Sequence, residues 1–381
     1  MAARLEGLGT TIFAEMSALA TATDSINLGQ GFPDTDGPVE IVEAAVTALR
    51  AGQNQYPPGP GIAPLRAAIA AHDFRFHGLE YDPDTEILVT TGATEAIAAA
   101  VLALVEPGDE VIALEPFYDS YAANIAMAQG IRVPVTLRAP AFRLDADALR
   151  QAVTRRTKVI LLNTPHNPTG AVLTAAELAV VAEVAVEHDL VVIADEVYEH
   201  IVFDGPHIPI ATLPGMRERT VRISSAGKTF SFTGWKIGWA TAPPDLLAAV
   251  RTAKQFLTYV SGAPFQPAIA AALALPDGYF DALCDGLRNR RDQLGDGLTA
   301  LGFEVHRPAG TYFLTTDVRP LGYSSGVEFC RELPIRAGVV AIPQEVFYDD
   351  KTAGRHLVRW AFCKRQEVLA TALDRLGAAF G

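Results

Sequence analysis

Short apolar runs alternate with alanine-rich helical stretches between about residue 87 and residue 241. Each run is rich in β-branched residues and ends in polar residues or glycine, and the stretch after it has the apolar spacing of a helix. This rhythm is typical of βαβ units, and it predicts a large α/β domain built on a seven-stranded, mostly parallel and covered sheet. The predicted strands are 86–91, 110–114, 131–137, 158–163, 190–195, 220–225 and 237–241.

The rest of the chain predicts a smaller α+β domain. Long helices are expected over 245–259 and 267–301, and short strands over 304–306, 312–317, 339–342 and 356–362. The first 35 or so residues hold no strand for the large sheet, so we expect them to pack on the small domain and the mouth of the active site. The predicted domains are therefore 36–280, and 1–35 together with 281–381.

Composition narrows the class of protein. The 381 residues are 49% hydrophobic and carry 31 basic against 44 acidic side chains, a formal net charge of −13. Such a charge repels phosphate backbones, so nucleic acid is not an expected partner. The longest apolar run, 96–105, is far shorter than the roughly 20 residues that a membrane helix needs. The first residues lack the pattern of a secretory signal, so the cytoplasm is the expected compartment.

The chain has three cysteines, Cys284, Cys330 and Cys363. Their number is odd, they lie far apart, and no CxxC pair occurs, which argues against a disulfide framework and against a cysteine-rich zinc site. We expect reduced, mostly packed thiols and no metal.

Polar clusters follow several of the predicted strands, where the loops of an open α/β sheet bind ligands. In TTGATEAIAAAV a strand breaks at Gly92, and a helix begins near Ala93 and Thr94. Its backbone N–H groups suit a phosphate, although the same pattern is also an everyday strand-to-helix connection.

Two further strands end in polar turns. NTPHNPTG contains Asn167, whose amide in a rigid turn would donate and accept at fixed geometry, although a plain proline-rich loop fits as well. ADEVYEH places Asp195 at the last position of a covered strand, where a partly desolvated carboxylate needs a cationic or N–H partner. For Glu196 we expect only a cap on the next helix.

Three cations stand in apolar surroundings. SSAGKTFSFTGWKIGW carries Lys228 after a predicted strand and Lys236 eight residues later. An inward lysine beside a second cation has a lowered pKa, which favours the neutral amine of Schiff-base chemistry. Arg359 in HLVRWAFCK is either an edge-strand arginine or a bidentate clamp for a carboxylate.

The order of these motifs resembles that of the fold type I pyridoxal 5′-phosphate enzymes, specifically the class I/II aminotransferases. The fragments GQGFPD, NQYPPGPG, TGATEA, EPFYDSY, NTPHNPTG, ADEVYEH, SSAGKTFSFTGWKIGW and HLVRWAFCK all stand in the family's order. Within the family the GQGFPD start and the segment 313–334 look most like the N-succinyldiaminopimelate aminotransferases of the actinobacterial type. Kynurenine, glutamine and methionine aminotransferases are close relatives.

The resemblance implies a role for each candidate residue. Lys228 would form the Schiff base and carry the proton, Asp195 would pair with the pyridine nitrogen, and Tyr118 would stack on the ring. Asn167 and Tyr198 would bind the cofactor's 3′-oxygen, while Arg359, Asn167 and Gly31 would hold the substrate carboxylate. The cofactor phosphate would be held by Gly92, Ala93, Thr94, Ser225 and Lys236, and by Tyr56 from the neighbouring subunit of a homodimer.

The implied reaction is a ping-pong transfer from L-glutamate to an oxo acid, N-succinyl-2-amino-6-oxopimelate above all. Its distal carboxylate would need an arginine, and Arg307, Arg319 and Arg336 stand in the right domain. A broad kynurenine-, glutamine- or methionine-type aminotransferase is the alternative, with cysteine S-conjugate β-lyase activity beside it. A non-catalytic effector-binding protein is a remote alternative, and a nicotinamide enzyme is disfavoured because no GxGxxG follows a strand.

Overall fold

A computed structural model describes residues 2–381 of the chain. Its strands are β1 Ile26–Asn27, β2 Ile87–Thr91, β3 Glu110–Glu115, β4 Ile131–Thr136, β5 Thr157–Asn163, β6 Val191–Asp195, β7 Thr220–Ser225, β8 Ile237–Thr241, β9 Glu304–His306, β10 Phe313–Asp317, β11 Val339–Val340, β12 Ile342–Pro343 and β13 Leu357–Ala361. Its α-helices are α1 Ile12–Ala22, α2 Val39–Arg50, α3 Ala63–His77, α4 Gly92–Leu104, α5 Asp119–Met127, α6 Ala146–Ala152, α7 Ala175–Glu187, α8 Ala226–Thr229, α9 Pro244–Gln255, α10 Phe265–Leu273, α11 Asp277–Ala300, α12 Gly326–Ala337, α13 Lys351–Gly354 and α14 Gln366–Phe380.

The seven strands from β2 to β8 form one sheet in the order β2-β8-β7-β6-β5-β3-β4. All neighbours pair in parallel except β8, which runs antiparallel to both β2 and β7. The predicted α/β fold with a seven-stranded, mostly parallel sheet is therefore confirmed. Parallel strands buried on both faces read as continuous apolar runs, which is why these strands were visible in the sequence.

Three apolar clusters pack on this sheet, one of them at its β2–β8 end with residues of α2, α3 and α10. Val111, Ile193 and Val221 pack on one face with residues of α4, α5 and α9. Ile112, Ile160 and Val192 point to the other face and pack with residues of α6 and α7. The sheet is thus a rigid layer, and its carboxyl edge is left for the connecting loops.

A second sheet of four strands has the order β12-β13-β10-β9 and is antiparallel throughout. The N-terminal segment joins this part of the molecule, because β1 pairs in parallel with β11 and the Leu28 carbonyl accepts from the Ala361 N–H. The strand predicted over 339–342 is in fact two short strands in different sheets, β11 and β12.

The helix predicted over 267–301 is also two helices. The first, α10, ends at Leu273, and the second, α11, begins after Pro276. Proline disfavours helical geometry at the residue before it and lacks an N–H to continue a helix, so the chain breaks there. The helix predicted over 245–259 ends four residues early, at Gln255. The domain boundaries stay a prediction, and α11 crosses the one that we expected at residue 281.

Among residues 2–381, no helix is both long and apolar enough to cross a membrane.

Candidate active site

A cavity of about 360 Å³ opens at the carboxyl edge of the large sheet, between that sheet and the small one. Such an edge gathers loops and helix N-termini, and the cavity has the size of a cofactor site. It brings together every site residue predicted from the sequence except Tyr56: Gly31, Gly92, Ala93, Thr94, Tyr118, Asn167, Asp195, Tyr198, Ser225, Lys228, Lys236 and Arg359.

One end of the cavity is built to hold an anion. Helix α4 begins at Gly92, whose φ of +67° is the left-handed conformation that glycine adopts without strain. The backbone of Gly92 also lies very close to Gly238 on β8. A Cβ on residue 238 would stand only 2.5 Å from the Gly92 carbonyl carbon. Lys236 donates from Nζ to Thr94 Oγ1 over 3.2 Å. A helix N-terminus, hydroxyl groups and an ammonium together suit a phosphate dianion.

Lys228 lies in the short helix α8 that follows β7, so this helix, and not the strand itself, places it. Its Nζ is 5.8 Å from the ring centroids of both Tyr198 and Tyr312. Burial lowers the pKa of Lys228, and Lys236 adds a smaller lowering that Cys363 and Asp195 oppose. Lys236 thus lowers the pKa of Lys228 as expected, but desolvation contributes more to the total lowering.

Asp195 ends β6 and is buried. Its Oδ2 accepts from the Tyr121 hydroxyl over 2.6 Å, and its Oδ1 accepts weakly from the Val197 N–H over 3.4 Å. Burial raises the pKa of Asp195 to about 6, against the lowering from the Tyr121 hydrogen bond. Tyr121 was not predicted from the sequence, although it stands three residues after Tyr118 in the same EPFYDSY segment.

Asn163 joins Asp195 to the asparagine turn. Its Nδ2 donates to the Asp195 carbonyl over 2.8 Å, and its Oδ1 accepts from the Asn167 N–H over 2.8 Å. Through Asn163, the ends of the neighbouring strands β5 and β6 hold Asn167 and Asp195 next to each other. The sequence predicted no role for Asn163, which is the last residue of the strand predicted over 158–163.

Arg359 lies in the middle of β13, which is paired on both sides with β10 and β12, so the edge-strand interpretation is wrong. Its Nη1 donates to Asn167 Oδ1 over 3.1 Å and its Nη2 to the Gly29 carbonyl over 2.6 Å. Within residues 2–381, its buried Nε has no hydrogen-bond partner. Burial lowers the pKa of Arg359 to about 10, so the group keeps its charge near neutral pH. A buried guanidinium with no carboxylate partner is suited to bind one from a substrate.

Several aromatic rings line the cavity, among them Phe13, Phe32, Tyr118, Phe232 and Phe313. Of these, only Tyr118 was predicted from the sequence. The arginines considered for a distal carboxylate are absent from the lining of the described cavity. Arg307 pairs with Asp296, Arg319 with Asp317, and Arg336 with Glu332.

Tyr56 lies on the surface with 80% of its area exposed, and its ring centroid is 5.5 Å from that of Tyr259. Its expected contact is with a neighbouring subunit, so its absence from this chain's own cavity does not test that role.

A buried ion network supports the loop after β6 from behind. Arg222 donates to Glu196 over 2.6 Å, to Asp73 over 2.7 Å and to Glu199. Burial opposes ionisation of Glu196, but Arg222 holds the pKa of its carboxyl below the usual value. Glu196 is therefore an ion-pair partner, and its Oε1 also accepts from the Ile210 N–H at the start of the next helical turn over 3.2 Å, in line with the expected cap.

Glu199 of this network and two neighbouring histidines have the chemistry of metal ligands. The ligand atoms of His72, Glu199 and His200 lie within 4.8 Å of one another. However, the two imidazole Nε2 atoms share a hydrogen bond of 2.8 Å, and Glu199 already accepts from Arg222, His77 and Ser224. A guanidinium on the same carboxylate repels a metal ion, so we keep the prediction of no metal.

Comparison with known proteins places this arrangement in a family. The family model "Aminotransferase class I and II" matches residues 23–376. The solved structure of N-succinyldiaminopimelate aminotransferase from Mycobacterium tuberculosis is 59% identical, with a TM-score of 0.98 and full coverage of both chains. A methionine aminotransferase from Escherichia coli is 42% identical over 98% of this chain and 97% of its own length. A kynurenine–oxoglutarate transaminase from Dictyostelium discoideum is 37% identical over 97% of this chain and 94% of its own length.

The family model and the solved structure both match nearly the whole chain. The chain belongs to the aminotransferase class I and II family.

Proposed function

We propose that this aminotransferase binds pyridoxal 5′-phosphate in the described cavity and moves an amino group from L-glutamate to N-succinyl-2-amino-6-oxopimelate. The observation that carries the proposal is the convergence of Lys228, Asp195 and Arg359 on one cavity. The proposed acceptor is supported by the 59% identity to the N-succinyldiaminopimelate aminotransferase of M. tuberculosis.

The donor set of the cavity fits this cofactor. The N-terminus of α4, Thr94, Ser225 and Lys236 would hold its phosphate, and Asp195 would pair with its ring nitrogen. Tyr118 would supply a π-face for the ring, and Asn167 with Tyr198 would bind the 3′-oxygen. When bound, the cofactor supplies an electron-accepting ring that stabilises negative charge at the substrate Cα.

The chain's own residues would hold the substrate and move its proton. Arg359 would bind the α-carboxylate beside Gly31, since its guanidinium is buried and has no carboxylate partner among the described residues. Lys228 would take the proton from the substrate Cα and return it, because a lysine with a lowered pKa serves as base and acid near neutral pH. The N-terminal segment and the small sheet would exclude water when they close over the cavity.

We also propose a homodimer with shared active sites. Tyr259, whose ring lies beside that of Tyr56, is 51% exposed, and Phe256, three residues before Tyr259, is 80% exposed. A shallow groove beside them is lined by Leu102, Ala249, Phe256 and Leu257 among others. A second copy of the chain would cover this apolar surface and bring its Tyr56 to the phosphate end of the cavity.

A second candidate function is favoured by the aromatic lining of the cavity. Besides these rings, the lining holds no arginine other than Arg359 among the described residues. Such a lining suits apolar or aromatic amino acids better than a distal carboxylate, which would need a cation from the partner subunit. A broad methionine- or kynurenine-type aminotransferase is therefore the alternative to test.

Compartment and other partners remain predictions. We propose the cytoplasm, which is supported by the absence of a disulfide among Cys284, Cys330 and Cys363. The net charge of −13 supports the expectation that nucleic acid is not a partner.

An acceptor screen on the purified enzyme loaded with pyridoxal 5′-phosphate tests the proposal. Glutamate would be the donor, and N-succinyl-2-amino-6-oxopimelate would be compared with the oxo acids of methionine and of aromatic amino acids. A much higher kcat/KM for the succinylated acceptor supports the specific proposal. Preference for the apolar or aromatic acceptors supports the alternative, and no transfer to any acceptor contradicts both.

A further inference from the structure

Tyr121 stands behind the acid that the proposed function assigns to the cofactor's ring nitrogen. Its hydroxyl and Asp195 Oδ2 are 2.6 Å apart, and both side chains are buried. Within residues 2–381, the other hydrogen bond to this carboxylate is the 3.4 Å contact from the Val197 N–H to Oδ1. The carboxylate therefore has one strong donor.

The direction of this hydrogen bond is fixed by chemistry. Burial raises the pKa of Tyr121 well above its usual value, and the neighbouring Asp195 raises it further, so the tyrosine keeps its proton. A phenol that stays protonated can only donate to the carboxylate, and this favours the ionised form of the acid. Without it, burial alone would favour a protonated Asp195, which cannot stabilise a protonated ring nitrogen.

The bond also decides which carboxylate oxygen is available. Oδ2 is engaged by Tyr121, while Oδ1 has only the weak contact from Val197. The carboxylate plane is thus held with one oxygen turned to the tyrosine and the other left for a partner in the cavity.

Helix α5 holds Tyr121 firmly in this position. Tyr121 lies in the first turn of α5, and its N–H donates to the Tyr118 carbonyl over 2.9 Å. The two rings meet edge to face with centroids 5.8 Å apart. One short segment therefore fixes both the candidate stacking ring and the donor to Asp195.

We propose that Tyr121 is a positioning residue that keeps Asp195 ionised and turns its carboxylate toward the cofactor's ring nitrogen. This inference rests on the proposed function of the cavity. It adds a residue that acts through Asp195, 74 positions away in the sequence.

The substitution Tyr121→Phe removes one oxygen and keeps the ring. We expect kcat to fall about 10- to 100-fold, the usual effect of losing a hydrogen bond to a charged group. The KM for glutamate should change much less, because Arg359 is untouched. In the absence of substrate, the apparent pKa of the bound cofactor's absorption band should rise, since a ring nitrogen without its proton withdraws fewer electrons from the titrating group.

The matched control is Tyr81→Phe. Tyr81 is also a buried tyrosine, but it packs against the Arg217 guanidinium outside the described cavity lining. The variant should keep the kcat and the band pKa of the unaltered protein.

A double-mutant cycle separates positioning from packing. Because Tyr121 acts through Asp195, Tyr121→Phe should have little further effect on kcat in an Asp195→Asn background. Full additivity of the two changes would overturn the proposal. So would a Tyr121→Phe enzyme that loses thermal stability or cofactor affinity but keeps its kcat and band pKa.

The result expected if the proposed function is wrong differs from the result expected if only the role of Tyr121 is wrong. The unaltered protein would then neither take up pyridoxal 5′-phosphate nor transfer amino groups, and the role of Tyr121 would fall with it. Normal transfer by the unaltered protein together with an unchanged Tyr121→Phe variant would overturn only the role of Tyr121.

Discussion

Arg359 and Asn167 are joined by a hydrogen bond of 3.1 Å, from the guanidinium Nη1 to the amide Oδ1. Arg359 lies on β13 of the small sheet, and Asn167 lies in the turn after β5 of the large sheet, 192 residues away. The contact connects the two sheets across the cavity and fixes the orientation of both side chains. Among residues 2–381 the guanidinium has no carboxylate partner, which suits its proposed role in binding the carboxylate of a substrate.

Replacement of Arg359 by lysine should raise the KM for every amino acid substrate. Lysine keeps one positive charge but loses the planar fork that binds a carboxylate with two N–H groups. We expect an increase of about 10- to 100-fold, which corresponds to a charge-assisted hydrogen bond. Steady-state kinetics with glutamate and with one apolar amino acid checks this. An effect on one substrate alone would show that Arg359 binds a side chain and not the shared α-carboxylate.

Replacement of Lys228 by alanine should abolish transamination and leave the fold intact. The side chain is half-buried in the cavity lining, and no described hydrogen bond or salt bridge depends on its ammonium. Its loss removes the proposed proton carrier without breaking a structural contact. Circular dichroism should match the unaltered protein, and Lys158→Ala serves as a control for the loss of a lysine that lies outside the cavity lining. Turnover near the original rate would contradict the assignment of Lys228.

Asp195 predicts a pH-dependent stability of the protein without cofactor. Burial raises its pKa from 3.8 to about 6, so its ionised form is disfavoured in the folded state. Its contribution to the free energy of unfolding is full below pH 4 and is lost as the pH rises through 6, by about 3 kcal/mol in total. Asp195→Asn carries no such titration. The Tm of the variant minus the Tm of the unaltered protein should therefore increase as the pH is raised from 4 to 7.

Asp73 has its pKa raised to about 6 as well, mainly by burial, but it is present in both proteins and cancels in the comparison. Addition of pyridoxal 5′-phosphate should reverse the order at neutral pH, because only the carboxylate can pair with the ring nitrogen. A constant difference in Tm across this pH range would show that Asp195 is not the titrating group.

Arg222 should be far more important for stability than an arginine on the surface. Its guanidinium is fully buried against Asp73, Glu196 and Glu199. Arg222→Met would leave these carboxylates buried without a cation, and we expect the free energy of unfolding to fall by about 3–5 kcal/mol. Arg219→Met removes an ion pair with the exposed Asp189 and should change it by less than about 1 kcal/mol. Chemical denaturation at one protein concentration measures both, and equal effects would contradict the ranking.

The strands of the large sheet were predictable because each is a buried apolar run that ends at a turn. Their order was not, and neither was the antiparallel direction of β8, because both depend on pairing between segments far apart in the chain. The same limit applies to the site. Lys228, Asp195 and Arg359 are individual chemical signals in the sequence, whereas the value of Tyr121 lies in one contact with a residue that only the fold brings near.

Tyr56 and Lys228 should complement each other between subunits if the active sites are shared. A Tyr56→Phe subunit keeps its own Lys228, and a Lys228→Ala subunit keeps its own Tyr56. In a mixed dimer, the cavity with Lys228 would receive Tyr56 from the other subunit and would be a complete site. Each variant alone should be impaired, Lys228→Ala fully and Tyr56→Phe through weaker binding of the cofactor.

The measurement is transaminase activity at a limiting cofactor concentration, after the two variants are mixed, unfolded and refolded together. Activity should exceed the mean of the separately refolded variants, and the mass in solution should be that of two chains. Tyr259→Phe in place of Tyr56→Phe is the matched control, because this tyrosine is exposed beside Tyr56 but has no proposed contact with the phosphate. A mixture that only matches the mean would indicate that each chain builds its active site alone, and a monomeric mass would contradict the dimer itself.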